Sequence, residues 1–324
     1  MLNSLSDRNS LKSMLANGGG YRFMEAHNGL SALVACTTRD DETQAEFDGV
    51  WVSSLTCTAA SALPDLELSI IDNRLRVINE IVETSHKPVV VDGDTGGDIS
   101  SLRFFCRALE RMGAAAVVVE EKAIPKRNSL YDARQGLADP HEFAAKLVAS
   151  KEALRGPDFM VVARLESLTS GLGMDDALYR AQIYADAAVD GILVHSKSKD
   201  DGEVIEFATR FRQLYNDIPI LCVPTTFHAA TAGSLFNGGI QGVIYANHQL
   251  RAAHAAMRGA CLSILRNDCS TAIESGITST KQLFDEVGYT AEVARISEIE
   301  NGLKHRRQDY GRTASAGHGL VPLH

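Results

Sequence analysis

Eight short apolar runs alternate with helical stretches along this chain of 324 residues, and that alternation restricts the folds available to it. The runs are rich in β-branched residues and most of them end in polar or charged residues. Continuous apolar runs are typical of parallel strands that are buried on both faces. The candidate strands lie at 22–28, 49–54, 88–94, 115–122, 159–166, 191–197, 218–226 and 242–247.

Strand and helix repeated eight times predict an α/β fold, namely a (β/α)8 TIM-type barrel. The alternative is an open, doubly wound sheet. Such a sheet usually carries a GxGxxG phosphate-binding turn after its first strand. The corresponding segment here, EAHNGLSA at 25–32, does not have that pattern, so the barrel is the favoured prediction.

The pattern changes after residue 250, where three helical segments exceed what one barrel needs. We therefore expect a catalytic barrel domain at 1–250 and C-terminal helices at 251–310 that complete the barrel and form an oligomer interface. Residues 311–324 are predicted to be a mobile tail.

Charge and composition exclude several classes of protein. The net charge of −9 argues against a general nucleic-acid binder. No apolar run is long enough to span a membrane, and the N-terminus lacks the apolar core of a secretory signal. The six cysteines form no CxxC pair. We expect a cytoplasmic protein with reduced thiols, and disulfides are the alternative.

Acidic residues end two neighbouring candidate strands, and this suggests a metal site. Residues two apart on a strand share a face, so Asp92 and Asp94 are both expected to face the barrel mouth, with Glu120 on the next strand. Three close carboxylates repel one another unless a cation lies between them. Oxygen ligands suit Mg²⁺, with Mn²⁺ also possible. The alternative is that these acids pair with Arg164 or Lys122.

Cationic and amide side chains follow the same strand ends. Arg164 and His195, together with Lys126 and Asn128, could hold a phosphate or carboxylate. These residues predict a small anionic substrate, although His195 could equally be a packed barrel histidine. The long connection at 120–143 is predicted to be a lid, with a plain surface loop as the alternative.

The segment EEKAIPKRNSL at 120–130 resembles the EDK-x5-NS signature of the phosphoenolpyruvate mutases, within the isocitrate lyase and phosphoenolpyruvate mutase superfamily. Further segments resemble the same family in the same order, across roughly residues 10–290. They are MEAHNGLSA (24–32), VWVSSL (50–55), DGDTG (92–96), ARLES (163–167), ILVHSK (192–197) and YANHQLRA (245–252).

The resemblance implies an isomerase that interconverts phosphoenolpyruvate and phosphonopyruvate in phosphonate biosynthesis. It implies that Asp92 binds Mg²⁺ directly. It also implies a homotetramer, a dimer of dimers with a C-terminal helix swapped between subunits. It further implies that Asp94, Glu120 and Asp65 contact the metal through water molecules. Ser53, Ser54 and Leu55 would bind the substrate carboxylate, and Trp51 would form a wall of the site. Arg164, His195 and Asn128 would contact the phosphoryl group, and Lys126 would lie in a gating loop.

Three departures and three alternatives accompany this assignment, and one departure is that the segment around Asp65 differs from the family pattern. Glu121 stands where the signature has Asp, and Gly97-Asp98-Ile99 differ from the usual GYGN. Phosphonopyruvate hydrolase resembles the mutase but has Thr at the position of Asn128. Lyases of the superfamily, which cleave C–C bonds, carry a gating-loop cysteine, and no cysteine lies between residues 107 and 221 here. A non-catalytic keto-acid-binding subunit would not need the complete set of site residues.

Overall fold

The computed structural model describes residues 10–68, 71–129, 131 and 135–316, with side chains described as far as residue 306. The chain divides into two compact units, with the boundary between His254 and Ala255. The boundaries predicted at 250 and 310, and the roles assigned to each segment, stay predictions.

The first unit contains a closed barrel of eight parallel strands in chain order, which confirms the predicted fold. Closure is made by β1 and β8, where Phe23 aligns with Ile244. The strands are β1 Tyr21–Ala26, β2 Gly49–Val52, β3 Val89–Asp92, β4 Ala116–Glu120, β5 Met160–Leu165, β6 Gly191–Val194, β7 Ile220–Cys222 and β8 Gly242–Tyr245.

The first helix, α1 Leu11–Ala16, precedes the first strand and packs Leu11 and Leu15 against the barrel interior, and the helices after it connect the strands and cover the outside of the barrel. These later helices are α2 Gly29–Thr37, α3 Ser54–Ala60, α4 Ile71–Thr84, α5 Ile99–Met112, α6 Pro140–Lys151, α7 Met174–Asp186, α8 Gly202–Arg212 and α9 Ala232–Asn237. Several start at a side-chain cap. Asn28 accepts from Ser31 N before α2, and Asp98 accepts from Ser101 N before α5.

Strand alternation divides the core into two layers. Val89 and Val91 pack in the layer between sheet and helices, whereas Val90 belongs to the barrel interior. Phe23 and Trp51 fill the same interior. The barrel is therefore a packed core rather than a pore, and substrate access is limited to its ends.

The strands end earlier than predicted, so most of the polar residues assigned to the strand ends lie beyond the last paired residue. The predicted strands 88–94 and 191–197 stop at Asp92 and Val194 in the structure. The last residues of the predicted strands consequently lie in the loops at the C-terminal end of the barrel, where TIM-barrel active sites are found.

The second unit is helical. Helix α10, His248–Asn267, leads into it, and α11 Thr271–Glu274, α12 Thr280–Glu286 and α13 Tyr289–Ala316 follow. Helix α13 includes residues 311–316 of the predicted tail, and residues 317–324 lie outside the described residues. Helix swapping stays a prediction.

Across the described chain, no helix is both long and apolar enough to cross a membrane. All six cysteines lie among the described residues and are free thiols, three of them buried: Cys36, Cys106 and Cys222.

Candidate active site

A pocket at the C-terminal end of the barrel brings together eleven of the twelve predicted site residues. Asp94 is the exception. The eleven are Trp51, Ser53, Ser54, Leu55, Asp65, Asp92, Glu120, Lys126, Asn128, Arg164 and His195. They come from five strand ends, from the lid and, for Asp65, from the loop between α3 and α4, so the site exists only once the barrel has closed.

Asp92 and Asp94 do not share a face, contrary to the expectation from strand alternation. Strand β3 ends at Asp92, and Asp94 has a left-handed backbone with φ +50°. The Asp92 carboxylate lines the mouth and accepts from Ser54 Oγ at 3.2 Å. The Asp94 carboxylate instead meets Arg74 and Lys126. Period-two alternation applies only within a strand, and this pair lies across its end.

Arg74 on α4 holds this turn, and sequence reasoning missed it. Its guanidinium donates to the Asp94 carboxylate and to the Asp92 carbonyl oxygen. Burial favours the neutral form of Asp94, but the charges of Arg74 and Lys126 outweigh it and hold the pKa of Asp94 below its usual value. Arg74 lies on an amphipathic helix without a motif, so no sequence signal pointed to it.

The lid residues Lys126 and Asn128 both contact Asp65. Lys126 Nζ lies 2.8 Å from Asp65 Oδ1 and 3.2 Å from Ser54 Oγ. The Asn128 amide donates to the other oxygen of Asp65. Burial opposes the charge of Lys126, yet the carboxylates around it, Asp94 foremost, raise its pKa. Residues 130 and 132–134 of the predicted lid lie outside the described residues.

Glu120 has one paired and one unpaired oxygen. Its Oε2 lies 3.0 Å from Lys122 Nζ and 3.4 Å from Arg164 Nη1. Its Oε1 is buried without a hydrogen-bond partner in the described part of the chain. Burial raises the pKa of Glu120 to about 7, against the opposing charges of Arg164 and Lys122. The pairing with Arg164 and Lys122 is the one considered as an alternative to a metal site.

Arg164 and His195 form a second wall of the pocket, and both contact the buried Glu166. Arg164 Nη2 lies 2.6 Å from Glu166 Oε1 and 3.0 Å from His195 Nδ1. Burial lowers the pKa of His195, which favours the neutral imidazole. Ser129, which sequence reasoning did not single out, donates to Glu166 Oε2 at 2.8 Å. Lys122 adds a second buried cation 3.6 Å from Glu166.

The residues around Asp92 fit a hard divalent cation. No group of three or more His, Cys, Asp or Glu side chains is arranged as a ligand cluster in the described part of the chain. Mg²⁺ commonly binds through one or two carboxylates and keeps several waters, so it does not need such a cluster. Asp92 and the unpaired oxygen of Glu120 supply oxygen donors in one pocket.

The other predicted substrate contacts lie at the start of α3 and on β2. Ser53 caps α3 by accepting from Thr56 N at 3.3 Å. The first N–H groups of a helix have no partner within the helix, which suits the predicted carboxylate role of Ser54 and Leu55. Trp51 lines the pocket, and within the described residues its buried indole N–H has no hydrogen-bond partner.

Comparison with known proteins gives consistent results. The model of the family described as phosphoenolpyruvate phosphomutase matches residues 11–265. A phosphoenolpyruvate phosphomutase of Tetrahymena pyriformis is 36% identical over 276 residues, which cover 85% of this chain and 89% of that protein.

Two solved structures agree with this result. One is a phosphoenolpyruvate phosphomutase from Streptomyces platensis subsp. rosaceus, with a TM-score of 0.82, 35% identity and coverage of 94% of this chain and 99% of that one. The other is a phosphonopyruvate hydrolase in complex with oxalate and Mg²⁺, with a TM-score of 0.79, 31% identity and coverage of 88% and 96%. The signature at 120–130, the barrel and its pocket thus agree with the match across residues 11–265, and the chain belongs to the phosphoenolpyruvate phosphomutase family.

Proposed function

We propose that this chain is an isomerase that interconverts phosphoenolpyruvate and phosphonopyruvate. The observation that carries the proposal is the position of the lid. Lys126 and Asn128 both reach Asp65 above a pocket that has Arg164 and His195 on one wall and Asp92 on another. A small, doubly anionic substrate would be enclosed there between fixed charges.

The reaction moves a phosphoryl group within one molecule. The bond from phosphorus to the enol oxygen breaks, a bond from phosphorus to the methylene carbon forms, and the oxygen becomes a carbonyl. No proton is gained or lost and no co-reactant is needed. A site without a dedicated general base can therefore perform it, provided that it holds the phosphoryl group in place.

In this proposal Arg164, His195 and Asn128 contact the phosphoryl oxygens as the group moves. Arg164 stays charged because, although burial opposes it, Glu166 and Glu120 raise its pKa. A neutral His195 can donate one hydrogen bond without adding repulsion to Arg164. Glu166 orients both side chains through its carboxylate.

In this proposal the first N–H groups of α3 bind the substrate carboxylate, and Trp51 forms the apolar wall. Mg²⁺, or Mn²⁺ in its place, would be held by Asp92, with Asp94, Glu120 and Asp65 contacting its waters. When bound, the ion supplies the positive charge that this acidic side of the pocket lacks. The lid excludes water, which would otherwise capture the phosphoryl group.

Phosphonopyruvate hydrolase is the second candidate function, because a protein of that name shares 31% identity with this chain. Asn128 is the residue that favours the mutase, since the resemblance places Thr there in the hydrolase. An amide can donate to a phosphoryl oxygen and to Asp65 from one nitrogen, whereas a Thr hydroxyl has a single proton. We further propose that the enzyme acts in the cytoplasm, as a homotetramer, in phosphonate biosynthesis.

Phosphorus NMR tests the proposal. The purified chain is incubated with phosphonopyruvate and Mg²⁺, and the products are followed over time. Phosphoenolpyruvate as the main product supports the mutase, and inorganic phosphate as the main product supports the hydrolase. No conversion with Mg²⁺ or Mn²⁺ would contradict both.

A further inference from the structure

Glu121 is fully buried directly behind the pocket. Its neighbours Glu120 and Lys122 both line the mouth. Glu121 lies between them and extends to the opposite side of the sheet, towards α7. This is also the position at which the chain departs from its family signature, which has the shorter Asp.

The carboxylate of Glu121 links the end of β5 to α7. Its Oε1 accepts from the backbone N–H of Glu166 at 2.8 Å. Its Oε2 accepts from the hydroxyl of Tyr184 and, at 3.3 Å, from Arg180 Nη1. One side chain therefore connects the segment that carries Arg164 and Glu166 to a helix on the outside of the barrel.

The same residues hold the returning end of the lid. The N–H of Ala138 donates to the carbonyl oxygen of Glu121 at 2.8 Å, and Arg180 Nη1 donates to the carbonyl oxygen of Ala138 at 2.9 Å. Lys122 pairs with Leu137 in an isolated β-bridge beside this contact. The lid thus ends on a fixed support, while Lys126 and Asn128 at its other end reach the pocket.

We propose that Glu121, Arg180 and Tyr184, here called the Glu121 network, position Arg164 and Glu166 and anchor the lid over bound substrate. Glu121 is a positioning residue, because it touches neither the pocket nor the reacting atoms. The side chain of Glu121 reaches Tyr184 and Arg180 from a backbone position that directly follows the end of β4. The inference rests on the proposed function for the choice of substrate only.

A small displacement of Arg164 and Glu166 is expected to lower the rate of the reaction. The backbone N–H of Glu166 donates to Glu121, so the end of β5, which carries Arg164, is tied to the position of the Glu121 carboxylate. Loss of the hydrogen bond from Tyr184 or Arg180 to Glu121 would therefore allow Arg164 and Glu166 to shift. Misplacement of catalytic groups by a fraction of an ångström to one ångström lowers rates by about 10- to 100-fold. Binding of substrate through the start of α3 and Trp51 does not depend on Glu121. We therefore expect kcat to fall while KM changes little.

The test compares Tyr184→Phe with Tyr179→Phe. Both substitutions remove one hydroxyl from α7, but Tyr179 is 52% exposed and lies outside the network. Turnover of phosphonopyruvate is measured for the sum of all products, together with the rate of trypsin cleavage after the exposed Arg127. Tyr184→Phe is expected to lose about tenfold in kcat, to release more inorganic phosphate and to be cleaved faster, with Tyr179→Phe unchanged.

A second variant, Glu121→Gln, keeps the shape of the side chain and removes its charge. It should show the same loss in kcat at nearly constant KM. Wild-type kcat and wild-type cleavage rates in the folded fraction of both variants would overturn the inference, even if their thermal stability fell. Turnover is measured as the sum of all products, so the comparison between each variant and the wild type does not depend on which product forms. If the proposed function is wrong, the wild type itself will form a different product.

Discussion

Asp92 and Asp94 are separated by a single residue, yet their carboxylates have different surroundings. Asp92 lines the pocket beside Ser54, whereas Asp94 is enclosed by Arg74 and Lys126. The cations neutralise Asp94 within the protein. Asp92 is then the carboxylate of this turn that is free to meet an ion from solution.

Asp92→Ala should abolish the Mg²⁺-dependent reaction while leaving the barrel folded. The loss of the direct ligand is expected to lower turnover on the order of 100-fold or more, since a bound ion contributes several kcal/mol to stabilising charge. Thermal unfolding with and without Mg²⁺ gives a second readout, because a ligand that binds the native state raises Tm.

The matched control is Asp98→Asn, which changes an exposed carboxylate six residues away and keeps a side chain that can cap α5. It should retain both turnover and the Mg²⁺-induced rise in Tm. Near-normal turnover of Asp92→Ala at saturating Mg²⁺ would contradict the metal assignment.

Arg74→Met should destabilise the fold, because it leaves the buried Asp94 with one cation instead of two. Removing one partner of a buried ion pair costs about 3–5 kcal/mol, and Lys126 is expected to keep the loss near the lower value. Urea unfolding measures it. Arg76→Met on the same helix is the control, since Arg76 is 69% exposed and its pairing with Glu80 is a surface contact.

The destabilisation by Arg74→Met should depend on pH. The pKa of Asp94 is lowered in the folded chain, so its ionised form adds stability above the unfolded pKa of about 3.9, and that contribution is lost as the pH falls through the folded pKa. The difference in unfolding free energy between wild type and Arg74→Met should consequently shrink below about pH 4. A difference that stays constant down to the acid transition would exclude Asp94 as its origin.

At the scale of elements, the lid is held by contacts near both of its ends. Lys126 and Asn128 meet Asp65 at one end, and Ala138 meets Glu121 at the other. Between these contacts, the side-chain oxygen of Gln135 accepts a hydrogen bond from the backbone N–H of Arg127 at 2.6 Å. The contacts at both ends would hold the lid over the pocket.

Asn128→Ala should slow isomerisation and increase leakage to water. The substitution removes a hydrogen bond to a charged group, which contributes about 1.5–3 kcal/mol. If the bond tightens in the transition state, the rate falls roughly 10- to 150-fold. Phosphorus NMR should show a larger share of inorganic phosphate among the products.

Arg127→Ala serves as the control within the lid, because Arg127 is exposed and is assigned no role. Lys126→Ala should also lose activity, through impaired closure, while keeping the Mg²⁺-induced rise in Tm. If Asn128→Ala isomerises at the wild-type rate without added phosphate release, then Asn128 is an ordinary loop residue and the preference for mutase over hydrolase loses its main support.

The elements were predictable because each depends on a local pattern. Eight β-branched runs correspond to eight strands, and the Ser279 cap and the apolar spacing after it correspond to α12. The strand ends were less predictable, since an apolar run such as 191–194 continues into polar residues without marking where pairing stops. Arg74 and Glu121 could not be assigned at all, because their partners come from distant segments and only the closed barrel brings them together.

At the scale of the whole molecule, the second unit exposes many apolar side chains in the single chain. They lie on α12, on α13 and in the connection between them, and comprise Leu283, Phe284, Val287, Tyr289, Val293, Ile296, Ile299 and Leu303. On α13, Tyr289, Val293, Ile296 and Leu303 are spaced by three, four or seven residues, so they share one face of the helix. Contiguous apolar surfaces of this kind usually mark an interface.

We therefore expect a homo-oligomer in which α12 and α13 contact another subunit, and the dimer of dimers with a swapped helix is the arrangement that the family resemblance implies. Ile296→Asp places a charge in the middle of the apolar face, and burying an unpaired carboxylate there is unfavourable enough to weaken the assembly. Sedimentation velocity at micromolar concentration should show a tetramer for the wild type and smaller species for Ile296→Asp. Glu298→Gln, an exposed change on the same helix, should sediment like the wild type. A monomeric wild type would contradict the prediction, because the apolar face of α13 would then be exposed to water without a partner subunit to cover it.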